Sequence, residues 1–415
     1  MFSRIIENHW KKKFAAPYVH LIFGARQTGK STLLRKLLPQ AEIWIDFSEP
    51  LQRAEYLRNP HRLIQQCRAL GKARKPNVVV IDEAQNVPAV FDAVQHLYDS
   101  DKRRWRFILC GSSARKLRLT GANLLPGRSF LHHLYPLLLL ERPPAKAEAA
   151  PSMAPALLPM KLSGKLHDPW FPATELSERL IFGELPGIAT AASAHRSDLL
   201  RAYTLVYLEE ELRRESLVKN WPAFARFLQL AAAESGRLIN YAAVSREAGV
   251  SLPTVKSYYH LLEDMFLGFR VPAFSGSFRK SLLSTERFYF FDLGVRNAAA
   301  EFPLSSAAVR ADPGPLFEQW VGIELWKRLQ YLGTGKLHYL RSKAGAEIDF
   351  ILNRGGKLTP VEVKWTEHPT LSDARHVSAF LKENRQHAKR GYVICRCSTP
   401  LALNEQVTAL PWSCL

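Results

Sequence analysis

Continuous apolar runs recur along the first third of the chain, at residues 18–23, 78–81 and 107–110. Each run is rich in β-branched or aromatic residues and is followed by a glycine or an aspartate, which predicts short, buried parallel strands. After Ser31 the apolar positions take helical spacing. A strand, a glycine-bounded loop and a helix in succession predict an α/β domain with a parallel sheet over residues 1–142.

The loop "GARQTGKSTLL" follows the first apolar run, at residues 24–34. Its glycines allow successive N–H groups to face a phosphate, and the positive end of the next helix adds to the attraction. Lys30 is expected to reach the β- and γ-phosphates of ATP, and Ser31 to bind Mg²⁺. A plain turn with an exposed lysine is the alternative, but G-x-x-x-x-G-K-S is a demanding pattern. The predicted cofactor-binding residues are Gly24, Ala25, Arg26, Gln27, Thr28, Gly29, Lys30, Ser31 and Thr32.

Polar residues follow the next two predicted strands, where α/β sheets bind their ligands. Asp82 is expected to bind Mg²⁺ through water and Glu83 to polarise the attacking water, with helix capping as the alternative. Ser112 is expected to sense the γ-phosphate, although it could also cap a helix. Arg128 follows a predicted helix end and is expected to complete a neighbouring subunit's site by stabilising transition-state charge. This role predicts a homo-oligomer, for which a hexamer is a candidate.

The stretch from 143 to 175 has a different texture from the rest of the chain. Residues 143–172 contain seven prolines together with "AKAEAAPSMAPALLP". Such a segment cannot sustain a helix or a central strand, which predicts a loop or linker. Residues 176–225 then predict a helical lid, because residues 199–215 place apolar positions three and four apart among many charges. Simple core packing of that helix is the alternative interpretation.

A helix-turn-helix is predicted within residues 226–305. Two short helical patterns flank Gly249, and the strand-like "GFRVPAF" follows them, as in a winged helix. Side chains near the start of the second helix are expected to face DNA, and basic residues of the wing to meet phosphates. The predicted DNA contacts are Thr254, Lys256, Ser257, Tyr258, Arg279 and Lys280. A winged helix used only for protein contact is the alternative.

Residues 306–415 carry a third group of candidate residues. Glu318 lies on an amphipathic helix, Asp349 lies in the strand-like "AEIDFIL", and Glu362 and Lys364 lie in "TPVEVKW". Residues two apart in a strand share a face, so Glu362 and Lys364 are expected to point the same way. A divalent ion on Asp349 and Glu362, with Lys364 orienting water, is the arrangement of a metal-dependent nuclease. A surface ion pair on one strand would produce the same local pattern.

Composition narrows the choice of partners. The 415 residues carry a net charge of +19 and a sequence pI near 9.8, which favours a polyanion such as duplex or branched DNA. No apolar stretch reaches the roughly 18 residues of a membrane span, and the N-terminus lacks a signal-peptide core, so no membrane contact is expected. The five scattered cysteines are expected to be free thiols in a reducing cytoplasm.

The succession of motifs resembles the predicted bacterial and archaeal AAA+ ATPases with a C-terminal domain of unknown function. The motifs that carry the resemblance are "GARQTGKSTLL", "VVVIDEAQNV", "ILCGSSARKL", "GELPG", "SREAGVSLPTVKSYYHLLEDMFLGFRVPAF", "FYFFDLGVRNA", "LFEQWVGIEL", "AGAEIDFIL" and "PVEVKW". The resemblance implies an AAA+ domain, a winged helix and a domain similar to the PD-(D/E)XK restriction-endonuclease fold. The insertion from residue 143 departs from the shorter family pattern.

What the resemblance implies about chemistry agrees with the motifs. It implies phosphate roles for Lys30 and Ser31, magnesium and hydrolysis roles for Asp82 and Glu83, and nuclease-like positions at the four C-terminal residues. Two function classes follow. One is an ATP-driven machine that remodels or processes DNA, and the other is an ATP-controlled switch that assembles with a protein partner and uses the C-terminal domain as a scaffold.

Overall fold

The computed structural model describes residues 2–71, 74–112, 125–150, 157–160, 169–204, 218, 220–275, 285–341 and 345–415. Its N-terminal unit is a five-stranded sheet with helices on both faces. The strands are β1 (Val19–Phe23), β2 (Ile43–Asp46), β3 (Asn77–Asp82), β4 (Trp105–Gly111) and β5 (Ser129–His133). The helices are α1 (Glu7–Phe14), α2 (Lys30–Leu37), α3 (Pro50–Arg58), α4 (Arg62–Ala69) and α5 (Val90–Ser100).

This sheet is entirely parallel and has the strand order β2-β3-β4-β1-β5. The three apolar runs form β1 and parts of β3 and β4, and every residue of β1 is buried, which confirms the predicted α/β fold. Two separate apolar clusters cover its two faces, one built around Phe107 and the other around Trp10 and Ile22. Because the strands are parallel, the phosphate loop, Asp82 and Ser112 emerge at one edge.

The middle of the chain is mainly helical. Its helices are α6 (Leu176–Phe182), α7 (Pro186–Thr190), α8 (Ser193–Ala202), α9 (Trp221–Ala233), α10 (Tyr241–Ala248), α11 (Leu252–Asp264) and α12 (Leu293–Ala299). The strands β6 (Gly268–Val271) and β7 (Arg287–Phe290) form an antiparallel hairpin. Of the predicted lid helix at residues 199–215, α8 covers the start, and residues 205–217 lie outside the described ranges.

Helices α10 and α11 flank a glycine turn within the segment where a helix-turn-helix is predicted. Gly249 ends α10 in the left-handed conformation, with φ of 70°, and Ser251 begins α11 by accepting a hydrogen bond from the Thr254 N–H. A glycine is favoured at this turn because an L side chain is strained at positive φ. The β6–β7 hairpin follows α11 directly, and the winged helix stays a prediction.

The C-terminal unit is an α/β layer. Its helices are α13 (Ser306–Ala311), α14 (Pro313–Leu332) and α15 (Arg375–Glu383). Its strands are β8 (Lys336–Arg341), β9 (Glu347–Arg354), β10 (Lys357–Val363), β11 (Gly391–Cys395), β12 (Leu401–Ala402) and β13 (Val407–Pro411). They form one mixed sheet of order β12-β13-β11-β10-β9-β8, with β10, β11 and β13 mutually parallel.

One apolar core is shared by the middle and C-terminal units, running from Leu180 through Phe224 and Phe290 to Phe350 and Trp412. The domain boundaries expected near residues 142, 175, 225 and 305 stay predictions. All five cysteines are free, as expected, and all five are buried. Within the described ranges, no helix is long and apolar enough to cross a membrane.

Candidate functional site

The phosphate loop curls tightly at the end of β1. A Cβ at Gly24 would lie 2.2 Å from the carbonyl oxygen of Leu134, so only glycine fits there. Gly29 begins α2 in the left-handed conformation, with φ of 90°. The Lys30 ammonium donates hydrogen bonds to the carbonyl oxygens of Gly24, at 2.8 Å, and Ala25, at 2.9 Å. The loop therefore wraps around one buried cation beside a helix N-terminus, where negative charge is favoured.

The remaining loop residues take complementary positions. Thr28 is fully buried and its hydroxyl donates to the Ala25 carbonyl at 2.9 Å, which ties the loop to itself. Ser31 is half-buried and Thr32 is exposed in the first turn of α2. Gln27 adopts positive φ at the outer bend of the loop. Ser31 thus follows Lys30 in the first turn of α2, at the helix N-terminus.

Asp82 and Glu83 end β3 at the same edge of the sheet. The buried Asp82 carboxylate accepts hydrogen bonds from the Glu83 N–H, at 2.9 Å, and from the Cys110 thiol, at 2.6 Å. Glu83 adopts the left-handed conformation, with φ of 51°, which is unusual for a non-glycine residue. Strained backbone of this kind is concentrated at functional sites.

Charge couples these carboxylates to the loop. Burial lowers the pKa of the Lys30 ammonium, and the Glu83, Cys110 and Asp82 groups oppose that shift. Burial likewise raises the pKa of Glu83, against the opposing effect of Lys30. Lys30, Asp82 and Glu83 therefore form one electrostatic unit, as their sequence motifs predict.

Gln85 belongs to this site although sequence reasoning missed it. Its side-chain amide donates to the Glu83 carboxylate and to the Ser112 hydroxyl, the latter at 3.1 Å. A Cβ at Gly111 would lie 2.2 Å from the Gln85 amide oxygen, so the glycine makes room for this amide. Ser112 therefore contacts Glu83 through Gln85. The sequence does contain this polar residue next to the motif, because Gln85 follows Glu83 by two positions in "DEAQ".

Arg4 is the second residue that the sequence did not reveal. Its guanidinium donates to the Thr28 carbonyl at 2.9 Å, to the Glu141 carboxylate at 2.8 Å and to the Tyr135 carbonyl at 2.8 Å. The side chain of Glu141 is fully buried. Arg4 thus fixes the phosphate loop to the segment after β5 through contacts that span more than 100 residues of sequence.

Arg128 lies at the opposite edge of the sheet from Lys30. Its carbonyl accepts a hydrogen bond from the N–H of Val19, the first residue of β1, and its guanidinium forms an ion pair with Asp99 at 2.7 Å. It therefore does not join the phosphate loop of its own chain. A role in a neighbouring subunit's site stays a prediction.

The predicted DNA contacts differ in how far the structure exposes them. Lys256 and Ser257 are exposed on α11, and Thr254 is half-buried, with its hydroxyl 2.8 Å from that of Ser251. The expectation that Tyr258 is exposed is wrong, because this residue is 6% exposed and packs edge-on against Phe224 with ring centroids 4.8 Å apart.

Helical spacing explains the error at Tyr258, since it lies three residues from the buried Val255 on the core-facing side of α11. The predicted wing residues Arg279 and Lys280 lie outside the described ranges.

The four C-terminal candidates do come together. The Asp349 carboxylate accepts the Val363 N–H at 2.8 Å, and the Lys364 ammonium forms an ion pair with Glu362 at 2.7 Å. Burial raises the pKa of Asp349 to about 7, and the neighbouring Glu362 carboxylate adds to the shift. Burial also raises the pKa of Glu318 to about 8, with Asp349 contributing.

Arg287, the first residue of β7, places a positive charge beside this acidic group. Its guanidinium forms an ion pair with Glu318 at 2.8 Å and another with Glu347. The Glu362 Oε2 atom is buried without a hydrogen-bond partner. Within the described ranges, however, no three His, Cys, Asp or Glu side chains are grouped so that they could hold a metal ion. A metal here would need ligands beyond side-chain carboxylates.

Family models match the chain in three segments. Residues 16–142 match an AAA domain, residues 173–306 match a Domain of unknown function (DUF8612), and residues 313–415 match a Domain of unknown function (DUF4143). The first match supports an AAA-type P-loop ATPase domain and agrees with the parallel sheet and the curled loop. The other two matches leave the middle and C-terminal units without a functional description.

Two bacterial proteins are similar to most of this chain. An uncharacterized protein of Mycobacterium tuberculosis is 25% identical over 359 residues, which cover 86% of this chain and 72% of that protein. An uncharacterized protein of Haemophilus influenzae is 24% identical over 364 residues, covering 83% of this chain and 82% of its own length. A Vibrio cholerae protein of known crystal structure covers 95% of this chain and 94% of its own, at 10% identity and a TM-score of 0.19.

Proposed function

We propose that this chain is a Mg²⁺-dependent ATPase. The observation that carries the proposal is the buried Lys30 ammonium, enclosed by its own loop and electrostatically coupled to Asp82 and Glu83 at one sheet edge. A buried cation with loop N–H groups and a helix N-terminus around it suits a polyphosphate. The Ser31 hydroxyl and the Asp82 carboxylate are oxygen donors of the kind that suit Mg²⁺.

Each residue of the proposed ATP site then has a distinct role. Lys30 and the loop N–H groups bind and orient the phosphates, while Ser31 and Asp82 would hold Mg²⁺, which supplies charge neutralisation of the triphosphate. Glu83 accepts a proton from the attacking water, a task that its raised pKa favours. Gln85 orients the Glu83 carboxylate and joins it to Ser112, which reports the γ-phosphate.

Binding of Mg-ATP tests this site directly. Titration calorimetry on the full chain is expected to show binding by wild type and none by Lys30→Ala, because the buried cation is the main phosphate contact. Lys102→Ala removes an exposed lysine before β4 and is the matched control, which is expected to bind as wild type does. Equal binding by Lys30→Ala and Lys102→Ala would refute the assignment.

We further propose that the ATPase acts as a homo-oligomer with shared sites. Arg128 lies away from its own Lys30, at the edge of the sheet where the strands begin, and its side chain is 35% exposed. It is therefore accessible to a second copy of the chain, where it would stabilise transition-state charge. Its ion pair with Asp99 would open when the subunits assemble.

DNA is the proposed partner of the winged unit. The chain carries a net charge of +19, and Lys256 and Ser257 are exposed near the start of the second helix of a helix-turn-helix. Residues at this position of such helices meet base edges and phosphates. Coupling of ATP hydrolysis to this unit would make the protein a DNA remodelling or processing machine.

The C-terminal unit supports two alternatives. The orphaned Glu362 Oε2 atom beside Asp349 and Lys364 favours a nuclease-like site that takes a divalent ion. The ion pairs of Glu318 with Arg287 and of Glu362 with Lys364 favour a non-catalytic scaffold in an ATP-controlled switch that acts on a protein partner. Incubation of labelled linear and branched DNA with Mg²⁺ or Mn²⁺ separates them.

The nuclease alternative predicts cleavage by wild type and none by Asp349→Ala or Lys364→Ala. Equal products from all three would identify a contaminant and refute the assignment. Binding without cleavage on any substrate would favour the scaffold.

A further inference from the structure

A cavity of about 400 Å³ lies where the middle and C-terminal units meet. Its walls come from the turn after α9, from the start of β7, from α12 and α14, and from β8 and β9. Sites for small molecules usually measure about 300–1,000 Å³. The cavity therefore has room for a ligand of the size of a nucleotide.

Positive charge predominates among the described residues that line this cavity. They include four arginines and two glutamates, and the difference is an excess of two positive charges. Both carboxylates, those of Glu318 and Glu347, form their ion pairs with one arginine, Arg287. Within the described ranges, the other three arginines of the wall form no ion pair; they are Arg237, Arg296 and Arg341. A cavity with unpaired cations in its walls favours an anionic ligand.

Arg296 is a buried member of this group, with 9% of its surface exposed. Its guanidinium caps the end of α9 by donating to the carbonyl oxygens of Ala232, at 2.8 Å, and Ala233, at 3.1 Å. Another N–H donates to the Asn297 side chain at 3.1 Å. Burial lowers the pKa of Arg296 to about 10, and the positive charge of Arg237 adds to the shift. Because a guanidinium has five N–H groups, two are left over from these three bonds for an anion.

Gln319 adds a buried acceptor to the wall of the cavity. The residue is 4% exposed, and its amide nitrogen donates to the Pro315 carbonyl at 3.2 Å. Its Oε1 atom is buried and has no hydrogen-bond partner within the described ranges, which is unfavourable unless a ligand supplies a donor. A ligand that carries a hydroxyl or amino group as well as negative charge would satisfy both this atom and the arginines. A nucleotide has all of these groups.

We propose that this cavity binds the phosphate monoester of a nucleotide, either at the end of a DNA strand or on a free mononucleotide. Guanidinium groups bind phosphate through paired, charge-assisted hydrogen bonds. Glu318 lines the cavity and also belongs to the acidic group, since the Asp349 carboxylate contributes to its raised pKa. A strand held here by its end would therefore begin beside that group. The strand-end source rests on the proposal that DNA is a partner of this chain.

Short DNA strands that differ only in a terminal phosphate test this proposal. The full chain is titrated against single strands that carry a fluorophore on an internal base and a phosphate at one end, at the other end, or at neither. EDTA is present throughout, so that neither cleavage nor a bridging divalent ion contributes. Wild type is expected to bind one of the phosphorylated strands about tenfold more tightly than the strand without a phosphate, because hydrogen bonds to a charged group are strong.

Two substitutions locate that preference in the cavity. Arg237→Gln and Arg341→Gln each remove an exposed arginine of its wall, so neither disturbs the core. Each is expected to reduce the preference for the phosphorylated strand by about threefold, as the loss of one partly solvated contact requires. Arg385→Gln removes the same charge from an exposed position after α15 and is the matched control, with an unchanged preference expected.

Thymidine monophosphate and thymidine, titrated in the same way by calorimetry, distinguish the two sources of the phosphate. A preference among strands that Arg237→Gln and Arg341→Gln reduce identifies a strand end. Equal binding of all strands, together with binding of thymidine monophosphate but not thymidine that the same substitutions weaken, identifies a free nucleotide.

The remaining outcomes separate this inference from the proposal of a DNA partner. If wild type binds no strand but binds thymidine monophosphate through these arginines, the DNA partner is refuted while the cavity site stands. If wild type binds every strand equally and no probe in a phosphate-dependent way, the cavity site is refuted while the DNA partner stands. A preference for phosphate that survives both arginine substitutions also refutes the cavity site, and binding of no probe at all refutes both.

Discussion

Replacing the Asp349 carboxyl with an amide is expected to change how stability depends on pH. Burial raises the folded-state pKa of this group from an ordinary value of 3.8 to about 7. The folded chain therefore holds a proton that the unfolded chain releases above pH 4, and stability falls as pH rises from about 4 to 7. At about 1.4 kcal/mol per pH unit, the loss between pH 5 and its completion near pH 7 is about 3 kcal/mol.

Asp349→Asn removes this titration and retains an oxygen that can accept the Val363 N–H. The difference in unfolding free energy between variant and wild type is therefore expected to shift in favour of the variant by about 3 kcal/mol from pH 5 to pH 8. Urea unfolding followed by circular dichroism at the two pH values measures it, because the C-terminal sheet shares a core with the middle helices.

Asp198→Asn is the control for that measurement, because the Asp198 side chain is 80% exposed. This substitution is expected to leave the pH dependence of stability unchanged. If Asp349→Asn loses the same stability at pH 5 and pH 8, the carboxyl does not titrate as its burial requires, and the account of the acidic group is wrong.

Three further predictions concern the nucleotide and DNA sites. Gln85→Leu removes the hydrogen bond to Glu83, so it is expected to lower ATP turnover about a hundredfold and to leave ATP binding unchanged. Phosphate release measures the turnover, and an unchanged rate would refute the role of the amide. Mixing Arg128→Ala with Lys30→Ala subunits is expected to restore part of the turnover that each lacks alone, and only monomers by mass photometry with ATP and DNA would contradict assembly. Lys256→Ala is expected to weaken duplex DNA binding and to reduce the slope of log K against log salt concentration by about 1, measured by fluorescence anisotropy. Lys382→Ala removes an exposed lysine of α15 and is expected to change neither quantity.

The parallel sheet and the phosphate loop were predictable from the sequence because their determinants are local. A buried parallel strand is a continuous apolar run, and the residues that follow it fall at one sheet edge by topology. This reasoning placed Lys30 near Asp82 and Glu83. Asp349 and Glu362 were paired instead by the pattern of a metal-dependent nuclease, and they lie on the antiparallel neighbours β9 and β10. The two helices around the Gly249 turn were equally predictable, because the turn signal and the helical patterns are local.

Contacts between distant segments could not be predicted in this way. Arg4 meets Glu141 from the other end of the N-terminal unit, and Arg287 meets Glu318 where the middle and C-terminal units pack together. No periodicity in the sequence encodes such pairs. Tyr258 shows a different limit. Its place near the start of the second helix led to the expectation that it faces DNA, but its aromatic ring packs inward against Phe224.

ATP turnover by Glu83→Gln measures the central claim most directly. The amide keeps the shape of the side chain but cannot accept a proton from water, so the variant is expected to bind Mg-ATP as wild type does and to release phosphate at least a hundredfold more slowly. Steady-state phosphate release, with calorimetry on the same preparation, gives both quantities. Wild-type turnover in the variant, or the absence of turnover in the wild type as well, would contradict the account.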